Sequence, residues 1–323
     1  MYIQPEALLE QYDVLVHQIT RGRGAFICDT DQGMLLLTPF RGSKERALFI
    51  IDVLRELNRN GYAVEQVWFT KDGEPFTEDE TGTRYWLKSY VSGSECSVSR
   101  ESELAQAVGQ LARLHNKIAG STIVVPEFMK NDRNDPKNQY ERHYKELVKL
   151  KNYIKTRKTK NEFEQSFQKW YPYYIADAQK TLELLKTGDT ESGYQLCHGA
   201  FNQHNVVKTP EGFRIIHFEN MSYHLAVSDL ANFMRKMLEK NEWSISLGRT
   251  MLEAYEKERP LEINERRALY LLLLFPEKFW KIANHYANSH KAWVSTRDIE
   301  KLKKMTDQEA ARRTFLENLF SIV

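Results

Sequence analysis

The 323-residue sequence carries 46 basic and 44 acidic side chains, a formal net charge of +2, so no global field draws it to nucleic acid or to an anionic membrane. Hydrophobic residues at 41% and aromatics at 12% exclude a disordered chain, and the length predicts two lobes rather than one minimal core. Cys28, Cys96 and Cys197 are odd in number and far apart, which excludes a disulfide framework or zinc knuckle and predicts small buried thiols in a reducing compartment.

The first residues, MYIQPEALLEQYDVLVHQ, show no basic leader followed by an apolar stretch, so cytoplasmic synthesis without a signal peptide is expected. From Tyr12 to about Val91 the pattern predicts strands: YDVLVHQI, then GAFICDTDQGMLLLTPF folded at the turn Thr30 to Gly33, then VEQVWFT and RYWLKSYV. Between them, Leu48, Ile51, Leu54 and Leu57 recur near helical spacing and Gly61 follows, predicting one helix. Residues 1–91 therefore read as a small lobe of antiparallel sheet with a single helix.

After the turn-like SGSE at Ser92 to Glu95 the pattern becomes helical, and residues 92–323 read as a larger, mainly helical lobe. Leu104, Val108, Leu111 and Leu114 share a helix face, with Glu101 and Glu103 in the first turn. The basic segment Lys130 to Lys160 has a thin apolar stripe of Tyr140, Tyr144, Leu147 and Ile154, which predicts a solvated helix face rather than a binding surface. The longest apolar run, ALYLLLLF at Ala268 to Phe275, falls far short of the roughly 18 to 20 residues that span a bilayer and predicts a buried helix. Phe275, Phe279, Trp280, Tyr286 and Trp293 read mainly as core, with a bound small molecule or peptide as the alternative.

In the second half, NVVKT and FRIIHF flank Pro210, Glu211 and Gly212 and predict a lone hairpin among helices. Just before it stands HGAFNQHNVV, His198 to Val207, and its second strand runs into RIIHFEN, Arg214 to Asn220. A loop ahead of a hairpin whose far end carries a metal ligand is what kinase-type phosphoryl transfer requires.

These residues resemble the aminoglycoside and choline phosphotransferases, whose loop reads His-Gly-Asp with Asn five residues after the Asp, followed by a strand ending in Ile-Asp-Phe. His198, Gly199 and Asn205 match. Ala200 stands at the aspartate position of the loop and His217 at that of the strand. Within that superfamily the chain is similar to spore-coat proteins of the CotS type, through TDQGMLLLTPF, LARLHN (Leu111 to Asn116), the loop and hairpin, SDLANF (Ser228 to Phe233) and LLFPEKFWKIANHY (Leu273 to Tyr286). The resemblance implies an α+β, bilobal protein-kinase-like fold, a location in the spore coat, and other coat proteins as partners.

It also aligns Thr38 with the family's phosphate-gripping lysine, offers Glu56 as that lysine's helix partner or as an ordinary exposed glutamate, and sets RGRG, Arg21 to Gly24, near a phosphate-covering loop. His198 would support the catalytic loop. Asp229 would brace it, or else serve as the N-cap of a helix over Leu230 to Leu238. His198, His204, His217 and His224 fit no common zinc spacing, so no metal site is assigned.

An alanine cannot accept the hydroxyl proton, an imidazole is a poor magnesium ligand, and threonine cannot neutralise phosphate; these parts act as a unit. The expectation is a pseudokinase with a structural or protein-interaction role, no cofactor and no membrane span. The alternative is a small-molecule kinase binding magnesium-ATP through Asn205 and Glu219, since residues two apart on an extended segment project to one side. A cleft that binds a ligand without chemistry is the third reading.

Overall fold

The structure, a computed structural model, describes residues 4–132, 135–187, 193–289 and 296–322. In chain order it has α1 (Pro5–Leu9), β1 (Val16–Arg21), β2 (Phe26–Thr30), β3 (Gly33–Phe40), α2 (Lys44–Arg59), β4 (Val67–Trp68), β5 (Thr77–Glu78), β6 (Arg84–Ser89) and β7 (Ser94–Glu95). There follow α3 (Glu101–Ala119), α4 (Glu127–Asn131), α5 (Pro136–Thr156), α6 (Glu162–Lys186), β8 (Tyr194–Cys197), β9 (Val206–Thr209), β10 (Gly212–Ile215) and β11 (Ser222–Leu225). The remainder is helical: α7 (Val227–Lys240), α8 (Ile245–Glu258), α9 (Ile263–Leu274), α10 (Glu277–Asn288), α11 (Thr296–Asp307) and α12 (Glu309–Ile322). The predicted α+β class, with antiparallel sheet early and helices late, is the one observed.

Two compact units result. The first comprises Met1–Cys96, Arg113–Val124 and His198–Met221; the second comprises Ser97–Ala112, Val125–Cys197 and Ser222–Val323. The sequence reading divides the chain once, at residue 91. The structure groups the loop and hairpin of residues 198–221 with the early strands, because Arg46 of α2, Glu65 and Lys88 of β6 bond that segment.

In the first unit the antiparallel sheet has the order β1-β2-β3-β6-β4, with β5 also paired to β6. Thr30 pairs with Gly33 across the predicted turn, and its hydroxyl donates to the Gly33 carbonyl at 2.7 Å. Side chains alternate across the pleat, so Leu35, Leu37, Tyr85 and Leu87 join Cys28, Leu8, Leu9 and Tyr12 in a core on one face. The opposite face carries Phe40 and Trp86, whose rings lie 4.4 Å apart, and also Lys88. Helix α2 starts where Ser43 accepts a bond from the Arg46 N–H and ends near Gly61, whose φ of +74° suits glycine. The strand expected over VEQVWFT shrinks to Val67–Trp68, since Thr70 turns away to bond the Glu74 carbonyl and bridge to Tyr12.

In the second unit, Leu147, Leu150 and Ile154 of α5 pack with Phe163, Phe167 and Tyr174 of α6, Phe279 and Ile282 of α10, and Leu302 of α11. Asn161 caps α6 in a reciprocal capping box with Glu164. Phe275 and Phe279 are buried, the Phe279 ring stacks on Phe167 at 5.1 Å, and the Tyr286 ring stacks on Phe163 at 4.2 Å. Trp280 and Tyr286 also line a cavity of about 510 Å³. Trp293 lies outside the described residues. All three cysteines are buried and free, as expected. Among the described residues no helix is long and apolar enough to cross a membrane.

Candidate functional site

The loop that opens the hairpin is built around His198, which is fully buried. Its Nδ1 accepts the Ala200 N–H at 3.2 Å, so the ring proton sits on Nε2 and is donated to the Ile216 carbonyl at 2.9 Å. The ring packs edge-on to Phe218, with centroids 4.8 Å apart. Gly199 follows at φ +75°, where a side chain is strained. Asn202 caps the turn Gln203–Asn205 by accepting the His204 N–H at 2.9 Å.

Asn205 lies in this loop, where its Nδ2 donates to the Ala200 carbonyl at 2.9 Å and its carbonyl accepts the Ile216 N–H at 3.0 Å. The matched Asn thus ties the loop to the strand that follows. Ala200 presents a methyl group at the position where the resemblance expects a proton acceptor.

The strand predicted to carry on through His217 ends at Ile215. His217 takes a left-handed backbone, φ 67° and ψ 61°, and Phe218–Asn220 form a 3₁₀ turn. For a residue with a Cβ this conformation costs about 1–2 kcal/mol, so it needs outside support. Glu65, only 2% exposed, supplies it: its carboxylate accepts the His217 N–H and the Phe218 N–H, both at 3.1 Å. Arg46 of α2 adds a bond to the Met221 carbonyl.

The same Glu65 accepts from Lys88 Nζ at 3.0 Å. Lys88 is fully buried on β6, flanked by Leu36 of β3 and Val67 of β4. Its ammonium also meets the Glu219 carboxylate and lies 3.1 Å from His217 Nδ1. An ammonium only donates, so at this contact Nδ1 stands as the acceptor. Burial works against the charge on Lys88, but the Glu65 and Glu219 carboxylates outweigh it and raise its pKa. Burial likewise opposes ionisation of Glu219, and the Lys88 charge overcomes it, holding that carboxyl well below the usual range.

The expected neighbours His217 and Glu219 do converge, with Nδ1 and Oε1 3.4 Å apart. The reason differs from the one predicted: the segment is a turn rather than extended, and both side chains face Lys88. Asn205 and Glu219 have separate partners, the Ala200 carbonyl and Lys88. Thr38 sits on β3 opposite Trp86, and antiparallel register puts Thr38, Leu36, Trp86 and Lys88 on one face. A lysine thus stands on the adjacent strand, one same-face step from position 38.

Glu56 accepts from Asn60 at 3.1 Å at the end of α2, and the glutamate that meets Lys88 is Glu65, beyond the helix. The segment RGRG forms a hairpin turn in which the Gly22 N–H bonds the Ala25 carbonyl at 2.9 Å. His204 leaves the cluster for Glu95, at 2.6 Å. In the second unit, Asp229 is buried in the first turn of α7, whose N-cap is Ala226, so the N-cap alternative for Asp229 is corrected. Its charge adds to burial in raising the Cys197 thiol pKa.

Sequence reasoning missed Lys88 and Glu65. A signal was present in RYWLKSYV, since a lysine inside an apolar run with strand character must be paired if that strand is central.

This arrangement of sheet, loop and hairpin is the phosphotransferase fold. A crystal structure of an aminoglycoside phosphotransferase from Alicyclobacillus acidocaldarius matches it with a TM-score of 0.86 at 19% identity, covering 99% of this chain and 96% of that one. A spectinomycin phosphotransferase, solved with ADP and spectinomycin, matches with a TM-score of 0.65 at 15% identity, covering 96% and 97%. The sequence then narrows the class: residues 5–319 match the family described as spore coat putative kinase YutH, and the chain belongs to that family. It is similar to spore coat protein S of Bacillus subtilis (strain 168), 23% identical over 307 residues covering 92% of this chain and 87% of that protein. It is also similar to the endospore coat-associated protein YutH of the same organism, 24% identical over 298 residues covering 88% and 83%.

Proposed function

We propose that this chain is a catalytically defective, kinase-like protein with a structural or protein-interaction role in the bacterial spore coat. One observation carries the reading: where the fold family places a proton-accepting aspartate and a metal-binding aspartate, this chain has the methyl of Ala200 and the ring of His217 turned to Lys88. Loss of a positioned general base alone slows such reactions by about 10² to 10⁴, and here the metal ligand and the β3 lysine are absent as well. The names of the relatives support the coat location, and other coat proteins are the expected partners.

The test is ATP hydrolysis and phosphate transfer by the purified protein with magnesium. No turnover above the blank is expected. Robust, metal-dependent turnover that Asn205→Ala abolishes would overturn the reading. The location is tested by immunolabelling of sporulating cells that make the protein, where signal over the coat layers is expected and signal confined to the mother-cell cytoplasm counts against it.

A second reading has one observation in its favour: Glu219 reaches to within 3.4 Å of His217, the residue aligned with the family's metal-binding aspartate. On that reading the chain is a small-molecule kinase using Asn205 and Glu219, and Ala200→Asp with His217→Asp raises a measurable parental activity. Absence of any parental activity removes it.

A further inference from the structure

The fold family implies a magnesium-nucleotide site, and the donors in this chain do not fit one. Magnesium asks for about six oxygen ligands in octahedral order, several of them water. Here the space between Glu65, Glu219 and His217 is filled by the chain's own ammonium, with Glu65 Oε1 at 3.0 Å, His217 Nδ1 at 3.1 Å and the Glu219 carboxylate in contact. We propose that Lys88 is a permanent internal replacement for the metal ion, holding the loop after the hairpin in its folded form without any divalent cation. The inference deepens the defective-kinase reading and rests on it.

Three features support this assignment. The donors converge on one point as they would around a metal, two carboxylates and one imidazole nitrogen from segments far apart in sequence. The ammonium cannot exchange with solvent, because Lys88 is fully buried between β3 and β4. The ammonium also supplies positive charge to both carboxylates, and with His217 in place of the family's aspartate the cluster holds one carboxylate fewer than that pattern would give it. Glu65 links the cation to the backbone, since it also holds the His217 and Phe218 N–H groups.

If Lys88 stands in for an ion, its removal should open a site for one. Two carboxylates give manganese the oxygen donors it favours, and the imidazole supplies a third ligand. The experiment titrates Mn²⁺ into the full-length chain, following free Mn²⁺ by electron paramagnetic resonance and stability by thermal melting. The parent protein is expected to show no site at this cluster and an unchanged melting temperature. Lys88→Ala is expected to bind one Mn²⁺ and to gain about 5 °C at 100-fold excess over Kd. Lys88→Ala with Glu219→Gln should lose at least about tenfold in affinity, as expected when one ligand of a metal site is removed.

A Lys88→Ala protein that folds and ignores Mn²⁺ overturns the proposal. So does one that cannot be recovered folded even when prepared in Mn²⁺, because the ion must be able to take the ammonium's place. Strong Mn²⁺ binding at this cluster in the parent protein overturns it too. Magnesium-dependent turnover by the parent would instead sink the pseudokinase reading, whatever the manganese titration of Lys88→Ala shows.

Discussion

Lys88 and Glu219, 131 positions apart in the chain, form a buried ion pair that a second carboxylate, Glu65, completes from the other side. Removing one partner of a buried pair strands the other's charge, which is far costlier than the net worth of the pair. Lys88→Met should therefore destabilise the protein by about 3–5 kcal/mol in urea unfolding. Adding Glu219→Gln should recover part of that loss, and a double variant as unstable as the single would show that the pair is not coupled.

The same pair sets a pH dependence. The Glu219 carboxyl titrates lower when folded than its ordinary 4.5, because Lys88 outweighs burial, so its contribution is present above about pH 4.5 and is lost as pH falls through the lower folded value. Lys88 is shifted up from 10.5, so its contribution is present below that value and fades as pH rises past it. The stability gap between the parent and Glu219→Gln should be full at pH 6 to 8 and shrink from pH 4.5 downward. A gap that widens with acid would contradict the sign.

His198 bonds both the Ala200 N–H and the Ile216 carbonyl from a fully buried position. His198→Ala should cost about 1–3 kcal/mol for each stranded group, without any effect that depends on nucleotide or metal. Gly199→Ala, at φ +75°, should cost about 1–2 kcal/mol by strain alone. Denaturant midpoints measure both; a neutral Gly199→Ala would mean the loop relaxes out of its left-handed turn.

Calorimetric titration of ATP and ADP, with and without magnesium, addresses nucleotide binding directly. Tight binding that requires magnesium is not expected, because Glu219 is engaged by Lys88 and the Asn205 amide by the Ala200 carbonyl. Binding of equal strength with and without magnesium would select a ligand-holding module. Binding that appears only with magnesium would favour the Glu219 kinase reading.

Local pattern was enough to read most elements from the sequence. The turn at Thr30 to Gly33, the helix ended by Gly61, the hairpin around Gly212 and the buried helix containing Ala268 to Leu274 each depend on residues a few positions apart, and their spacing is written in the chain. Ala200 and His217, at the aspartate positions of the resembled motif, were equally visible. The side chains gathered around His217 were not. Lys88 meets Glu65 across 23 positions and Glu219 across 131, through the register of β6 between β3 and β4.

The end of the last hairpin strand at Ile215 was decided the same way. The residues of RIIHFEN favour extension by their own propensity, but Glu65 offers its carboxylate to two successive backbone N–H groups, and those bonds together with the Lys88 contact hold His217 in a left-handed turn. Composition and periodicity determined which elements form, and the family resemblance singled out Ala200 and His217. Only the tertiary structure decided which distant charges are buried together, because the free energy of a buried charge depends on what is beside it in space and not on its neighbours in sequence.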